Sequence, residues 1–148
     1  MEPVSDLTDV AISEDRLLGG RVLLRQGVRG YRAGMDAALL AAACDAADGA
    51  RMLEAGCGPG GALLAAATRR QGASFVGLER DPAAAALARL NVQANGLQSR
   101  VEIIEGDVAL PFKRLGAPPF DAVMANPPFF DDPAALRAPA PEKSGAWM

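Results

Sequence analysis

No histidine occurs anywhere in these 148 residues. That excludes Ser-His and Cys-His nucleophilic mechanisms and removes the commonest metal ligand. Cysteine is scarce as well. Cys44 and Cys57 make neither a disulfide framework nor a metal cluster, and no metal is expected. Long apolar runs are missing too, because Asp, Gly or Arg interrupts each one well before the ~18 residues a membrane span needs. The opening MEPVSDLTDV lacks the basic-then-apolar order of a signal peptide, so cytoplasmic residence is the expectation. Whatever chemistry the chain performs must use carboxylates, amides, backbone groups or a cofactor.

Half of the residues are apolar and 22% are charged, the range of a soluble globular protein with one substantial core. A net charge of −3 argues against a broad polyanion-binding surface. The charge is nevertheless uneven. Residues 1–15 carry five acids (Glu2, Asp6, Asp9, Glu14, Asp15) and no base. Residues 16–32 carry five arginines (Arg16, Arg21, Arg25, Arg29, Arg32) and no acid. Such a block could meet phosphates, and a solvated face accounts for it equally well.

Four segments follow from patterning. Residues 1–16 are expected to be an acidic, flexible leader. Within 17–49, LLGGRVLLRQGVRGY suits a small hairpin and MDAALLAAACDAA (35–47) suits a helix ended near Gly49. A regular alternation fills 50–132: ARMLEAG, ASFVGLE, RVEIIEGD and FDAVMAN as strands, with GALLAAATRRQG and DPAAAALARLNVQANG as helices. In the second helix Asp81 can cap, Pro82 takes the first helical position and Gly96 lies just past the end. Residues 133–148, rich in Pro and Ala, form an irregular tail or the start of a further half. Strand–helix alternation predicts an α/β, Rossmann-like, doubly wound and mainly parallel sheet, here ending after its fourth strand.

LEAGCGPGG (53–61) joins the first of these strands to its helix. Gly56, Gly58 and Gly61 fit a dinucleotide fingerprint, whereas Glu54 with Gly56, Gly58 and Gly60 fits a nucleoside-binding E-x-G-x-G-x-G loop. A pyrophosphate favours a helix N-terminus, and Glu54 would repel it. A sulfonium or an amino group is cationic and suits Glu54. Glu79, ending the next strand, can accept from two ribose hydroxyls in either cofactor class. Asp107 can accept from an adenine amine while Val108 packs on the ring, although Gly-Asp after a strand is also plain turn chemistry. Cys57 and Arg80, adjoining these positions, complete the expected cofactor set.

MANPPFF (124–130) follows the fourth strand, at the switch point where ligands bind doubly wound sheets. Asn126, Pro127, Pro128 and Phe129 match the [DNS]-PP-[FYW] pattern and resemble the class I methyltransferases that act on planar amino nitrogens. The resemblance implies S-adenosylmethionine (SAM) as cofactor, with Asn126 contacting both cofactor and acceptor. It also implies that the Asn126 oxygen and the Pro127 carbonyl accept from the target NH2, and that Phe129 and Phe130 line the acceptor's plane. Residues 17–43 resemble the front of the bacterial valine-tRNA adenine-N6 methyltransferase group, in the small-domain methyltransferase family. That likeness carries Tyr31, Arg32 and Asp36, with Tyr31 and Arg32 toward the substrate and Asp36 toward the methionine part of SAM. From the residues alone, Tyr31 and Asp36 could equally be a packing ring and a helix N-terminal acid.

The implied function is methyl transfer to an exocyclic adenine nitrogen in tRNA. The likeness spans 17–132, and its members run on for roughly a hundred further residues through a fifth strand and an antiparallel pair. This chain is therefore expected to lack part of the domain. Other readings are a glutamine-amide methyltransferase of the release-factor kind, an NAD-dependent oxidoreductase, and an inactive SAM-binding fragment. Release-factor enzymes usually carry a helical N-terminal domain, for which the stretch before Met35 is too short. NAD use would leave residues 126–129 unexplained.

Overall fold

The computed structural model describes residues 11–29, 32–109 and 119–127. Tyr31, Pro128, Phe129, Phe130 and the 133–148 tail lie outside the described residues. An antiparallel hairpin, β1 (Ile12–Leu17) and β2 (Val22–Gly27), precedes helix α1 (Met35–Ala43). Then follow β3 (Arg51–Ala55), α2 (Gly61–Arg69), β4 (Ser74–Glu79), α3 (Pro82–Ala94), β5 (Val101–Glu105) and β6 (Ala122–Ala125). The last four strands form one parallel sheet in the order β5-β4-β3-β6. Its order reverses between β3 and β6, so the expected α/β, doubly wound arrangement and its switch point are present.

The central strands have near-continuous buried runs, Met52 to Glu54 in β3 and Phe75 to Leu78 in β4. That is the pattern of parallel strands covered on both faces. The helix α2 packs close because Gly77 of β4 has no side chain. A Cβ there would stand 2.7 Å from both Cys57 Sγ and Leu63 Cδ2. For α3, Asp81 caps as expected, its side chain accepting from the Ala83 N–H at 3.1 Å with Pro82 in the first turn. Among the described residues no helix is long and apolar enough to cross a membrane, and no His/Cys/Asp/Glu group could hold a metal ion.

The front of the chain differs from expectation. Residues 12–16, assigned to a flexible leader, form most of β1. ISEDRL has little apolar alternation of its own, and β2 supplies the template: Val22, Leu24 and Gln26 are buried, and β1 pairs along its outer side. The acidic and basic blocks then meet instead of standing apart. Glu14 reaches Arg25 at 3.4 Å, and Asp15 reaches Arg32 at 2.9 Å. Hydrogen bonds from Gln26 and Ser13, with Arg32 adding charge, hold the Asp15 carboxyl below its usual range.

Helix α1 also stops short of the expected 35–47. The backbone is extended at Cys44, and arginines from the end of α2 satisfy the freed carbonyls. Arg69 donates to Ala41 O at 2.6 Å and Arg70 to Cys44 O at 3.1 Å.

Two asparagines dock the hairpin on the sheet's helical layer. Asn91 and Asn95 lie four residues apart on one face of α3. Asn95 accepts from Leu23 N–H at 2.8 Å and donates to Leu23 O at 2.7 Å. Asn91 does the same for Arg25, at 2.9 and 2.8 Å, and donates to Pro59 O at 2.8 Å. The amides thus stand in for a neighbouring strand along β2 and tie it to the glycine loop. Asn91→Ala, which strips partners from buried backbone groups, is expected to cost about 2–4 kcal/mol, measured by urea denaturation.

Candidate functional site

Every polar residue that the sequence singles out in 50–132 comes to the carboxyl end of the parallel sheet. Glu54 is the penultimate residue of β3, Glu79 ends β4, Asp107 follows β5 and Asn126 follows β6. Ala55 pairs in register with both Leu78 and Ala125, so the glycine loop leaves the sheet level with Asn126. A cavity of about 30 Å³ sits there, lined by Glu54, Gly56, Cys57, Asn126 and, from the front segment, Ala33 and Ala37. A larger groove of about 880 Å³ runs along β6 and residues 43–50, and none of the predicted site residues lines it.

Glu54 is the dominant electrostatic feature of the cavity. It is only 3% exposed, and its Oε1 has no hydrogen-bond partner among the described residues. Burial, opposed by the Leu63 backbone N–H and reinforced by the Glu79 charge, pushes its carboxyl up to about 8. A buried acid in this state holds its proton at neutral pH, and a cation brought beside it would favour the ionised form.

The loop's backbone is already committed. Gly56 and Cys57 donate to Leu78 O at 2.8 and 3.0 Å, and Gly60 donates to Cys57 O at 3.0 Å. Gly58 donates to Glu79 Oε2 at 2.7 Å. Gly56, Gly58 and Gly60 all have positive φ (74°, 55° and 101°), the left-handed region that their missing Cβ permits. The N–H groups from 56 to 60 therefore face inward, since Pro59 has none. A pyrophosphate would find no donor among them.

Glu79 is held by the loop it serves. Its Oε1 accepts from Asp81 N–H at 3.1 Å, and each carboxylate oxygen keeps capacity for a second donor. Cys57 lines the cavity: its thiol is buried, touches the Gly58 carbonyl at 3.5 Å and is pushed well up by burial, then by the Glu54 and Glu79 charges. It stays a neutral thiol. At the far side Asp107 accepts from Ala109 N–H at 2.9 Å and stands 4.0 Å from Arg80. Val108 beside them is 57% exposed, an open apolar surface next to a carboxylate.

Two expected residues meet in a way their spacing does not reveal. Asn126 Nδ2 donates to Asp36 Oδ2 at 2.7 Å, joining the start of α1 to the end of β6. Arg32, expected toward the substrate, is instead engaged with the hairpin, donating to Ser13 Oγ at 2.8 Å, Gly27 O at 2.9 Å and Asp15 at 2.9 Å. Tyr31, Pro128, Phe129 and Phe130 are not among the described residues. Sequence reasoning missed Asn91 and its bond to Pro59 O; a helix-disfavouring Asn recurring at i, i+4 in NVQAN was the available signal.

Known proteins share this fold. The solved structure of Pyrococcus horikoshii TYW2 in complex with MeSAdo superposes with a TM-score of 0.57 at 16% identity, over 68% of this chain and 38% of that one, which shows the fold. The tRNA1(Val) (adenine(37)-N6)-methyltransferase of Aeromonas salmonicida is 34% identical over 110 residues, 74% of this chain and 45% of that protein. The release factor glutamine methyltransferase of Gloeobacter violaceus is 33% identical over 99 residues, 67% of this chain and 33% of that protein. This chain thus spans less than half the length of either relative. The family model described as methyltransferase small domain matches residues 26–138. With that match over most of its length, and with the glycine loop and Asn126 at one switch point, this chain belongs to the methyltransferase small domain family.

Proposed function

We propose that the chain is the cofactor-binding and acceptor-holding part of a SAM-dependent N-methyltransferase acting on the exocyclic amine of an adenine in tRNA. The observation that carries this is Asn126 in one cavity with the buried Glu54 carboxyl, whose Oε1 has no partner among the described residues. A buried acid with one open oxygen fits a cationic amino-acid moiety, and the inward-facing loop N–H groups fit a cofactor without a pyrophosphate better than NAD. Glu54 and the 56–60 loop would hold the methionine part of SAM, Glu79 the ribose, and Asp107 with Val108 the base. SAM, when bound, supplies a methyl group on a sulfonium whose sulfur leaves as a neutral thioether.

The chain's own part is positioning. Asn126 Oδ1 and the Pro127 carbonyl accept from the acceptor NH2, and Phe129 stacks on its ring. This turns a conjugated, weakly nucleophilic lone pair toward the methyl and supports the positive charge that develops on nitrogen. The nitrogen then gives up one proton to water. No histidine base is required.

An adenosine in a tRNA loop is unpaired, so placing it on an aromatic ring is inexpensive. Arg16, Arg21 and Arg29 are exposed on or beside the hairpin, while Arg25 and Arg32 are engaged by Glu14 and Asp15. Phosphate contact therefore falls to the first three. The glutamine-amide reading stays in play because a glutamine side chain also presents a planar NH2, and a release-factor enzyme is among the relatives.

Labelled methyl transfer to undermodified tRNA and to release factors, run in parallel, tests the substrate. Transfer to tRNA alone is expected, and transfer to release factor alone would replace the tRNA reading. Calorimetry with SAM and with NAD tests the cofactor, and NAD binding without SAM binding would overturn it. Glu79→Ala is expected to weaken SAM binding about tenfold or more, since it removes charged acceptors and frees the Gly58 N–H.

A further inference from the structure

We propose that Asp36 is a positioning residue that sets which way round the Asn126 amide stands; the inference rests on the methyltransferase reading above. A side-chain amide is almost symmetric in shape, and turning it over exchanges an acceptor for a donor. Only one orientation offers Oδ1 to an acceptor NH2. An ionised carboxylate accepts and never donates, so Asp36 Oδ2, 2.7 Å from Asn126 Nδ2, selects that orientation. The reversed amide would set oxygen against oxygen.

The selector is itself held. Asp36 Oδ1 accepts from the Ala37 N–H at 2.9 Å, placing the carboxylate at the first turn of α1. Ala37 and Ala41 bury one face of that helix, and Arg69 from α2 caps its Ala41 carbonyl. Asn126 in turn leaves β6, whose Ala125 is in register with Ala55. The two groups are thus presented from the start of α1 and the end of β6, 90 residues apart in sequence, by regular elements, as precise positioning requires. A negative charge behind the amide also polarises its carbonyl, strengthening Oδ1 as an acceptor when the nitrogen turns positive.

Asp36→Asn is the discriminating substitution, because it keeps the shape and can satisfy Asn126 in either orientation. We expect kcat for methyl transfer to fall about tenfold while KM and SAM affinity stay within about threefold. In an Asn126→Ala background the same change should have no further effect, a coupling that an independent structural role would not show. Nitrogen-15 NMR of the Asn126 NH2, assigned by its loss in Asn126→Ala, should show a resonance that shifts in Asp36→Asn. Unchanged kcat, a tenfold loss of SAM affinity, or an amide resonance indifferent to residue 36 would each overturn the assignment. If the unsubstituted chain neither binds SAM nor transfers methyl, the functional reading fails, and the amide resonance still decides whether Asp36 orients Asn126.

Discussion

Asn126→Ala is expected to lower kcat for methyl transfer by at least about a hundredfold while moving SAM affinity by no more than about threefold. The expectation comes from where the residue stands. β6 runs in register beside β3, so Asn126 leaves the sheet level with Gly56 and lines the cavity that Glu54 lines from below. Pro127 fixes the backbone immediately after it, and its carbonyl is the second acceptor of the proposed pair. Alanine leaves that backbone in place but removes the side-chain oxygen that would take one of the acceptor's hydrogens. An interaction made with the acceptor and strengthened as nitrogen becomes positive is lost from kcat, not from cofactor binding. Calorimetry with SAM and single-turnover transfer, measured on the same variant, separate the two. If SAM affinity falls as steeply as the rate, Asn126 is chiefly a cofactor ligand and the division of labour described here is wrong.

Much of this arrangement is legible in the sequence, because it is encoded locally. Apolar runs bounded by Gly or Asp mark parallel strands, and Asp81-Pro82 marks the start of α3. The glycine spacing after β3 marks a loop whose positive φ values only glycine takes readily. What stayed hidden depends on partners distant in the chain. ISEDRL shows too little alternation to declare itself a strand, and becomes one because β2 offers a paired edge. Five acids followed by five arginines read as two separate fields, yet antiparallel pairing folds one onto the other. Asn91 and Asn95 look like poor helix residues until β2 lies against them. The Asp36–Asn126 bond could not be read either, since each residue already had a local explanation, a helix-start acid and a motif amide.

Glu54→Gln should change stability and binding in opposite directions. The folded protein holds the Glu54 proton up to a pH of about 8, against an ordinary 4.5. Between those values the folded chain binds a proton that the unfolded chain has released, so stability falls as pH rises and levels off above the folded value. The full effect is up to about 5 kcal/mol, given an acid only 3% exposed with one oxygen unpartnered. Glutamine carries no charge at any pH, so the variant should lose this slope and gain stability over the parent at pH 8. Its SAM affinity should fall about tenfold to a hundredfold, because a neutral amide cannot answer a cation beside a buried position. In the parent, a cationic ligand brings the missing partner and ionises Glu54, so binding below pH 8 releases a proton and affinity rises toward that pH. Denaturation curves across pH 5–9, with calorimetry in two buffers of different ionisation enthalpy, measure both halves. Proton-neutral binding, or a Glu54→Gln variant that binds SAM as tightly as its parent, would remove Glu54 from the cofactor site. The burial that makes this acid unfavourable in the empty fold is also what lets it distinguish a cation from a pyrophosphate. A more stable protein that no longer holds its cofactor is therefore the outcome this position predicts.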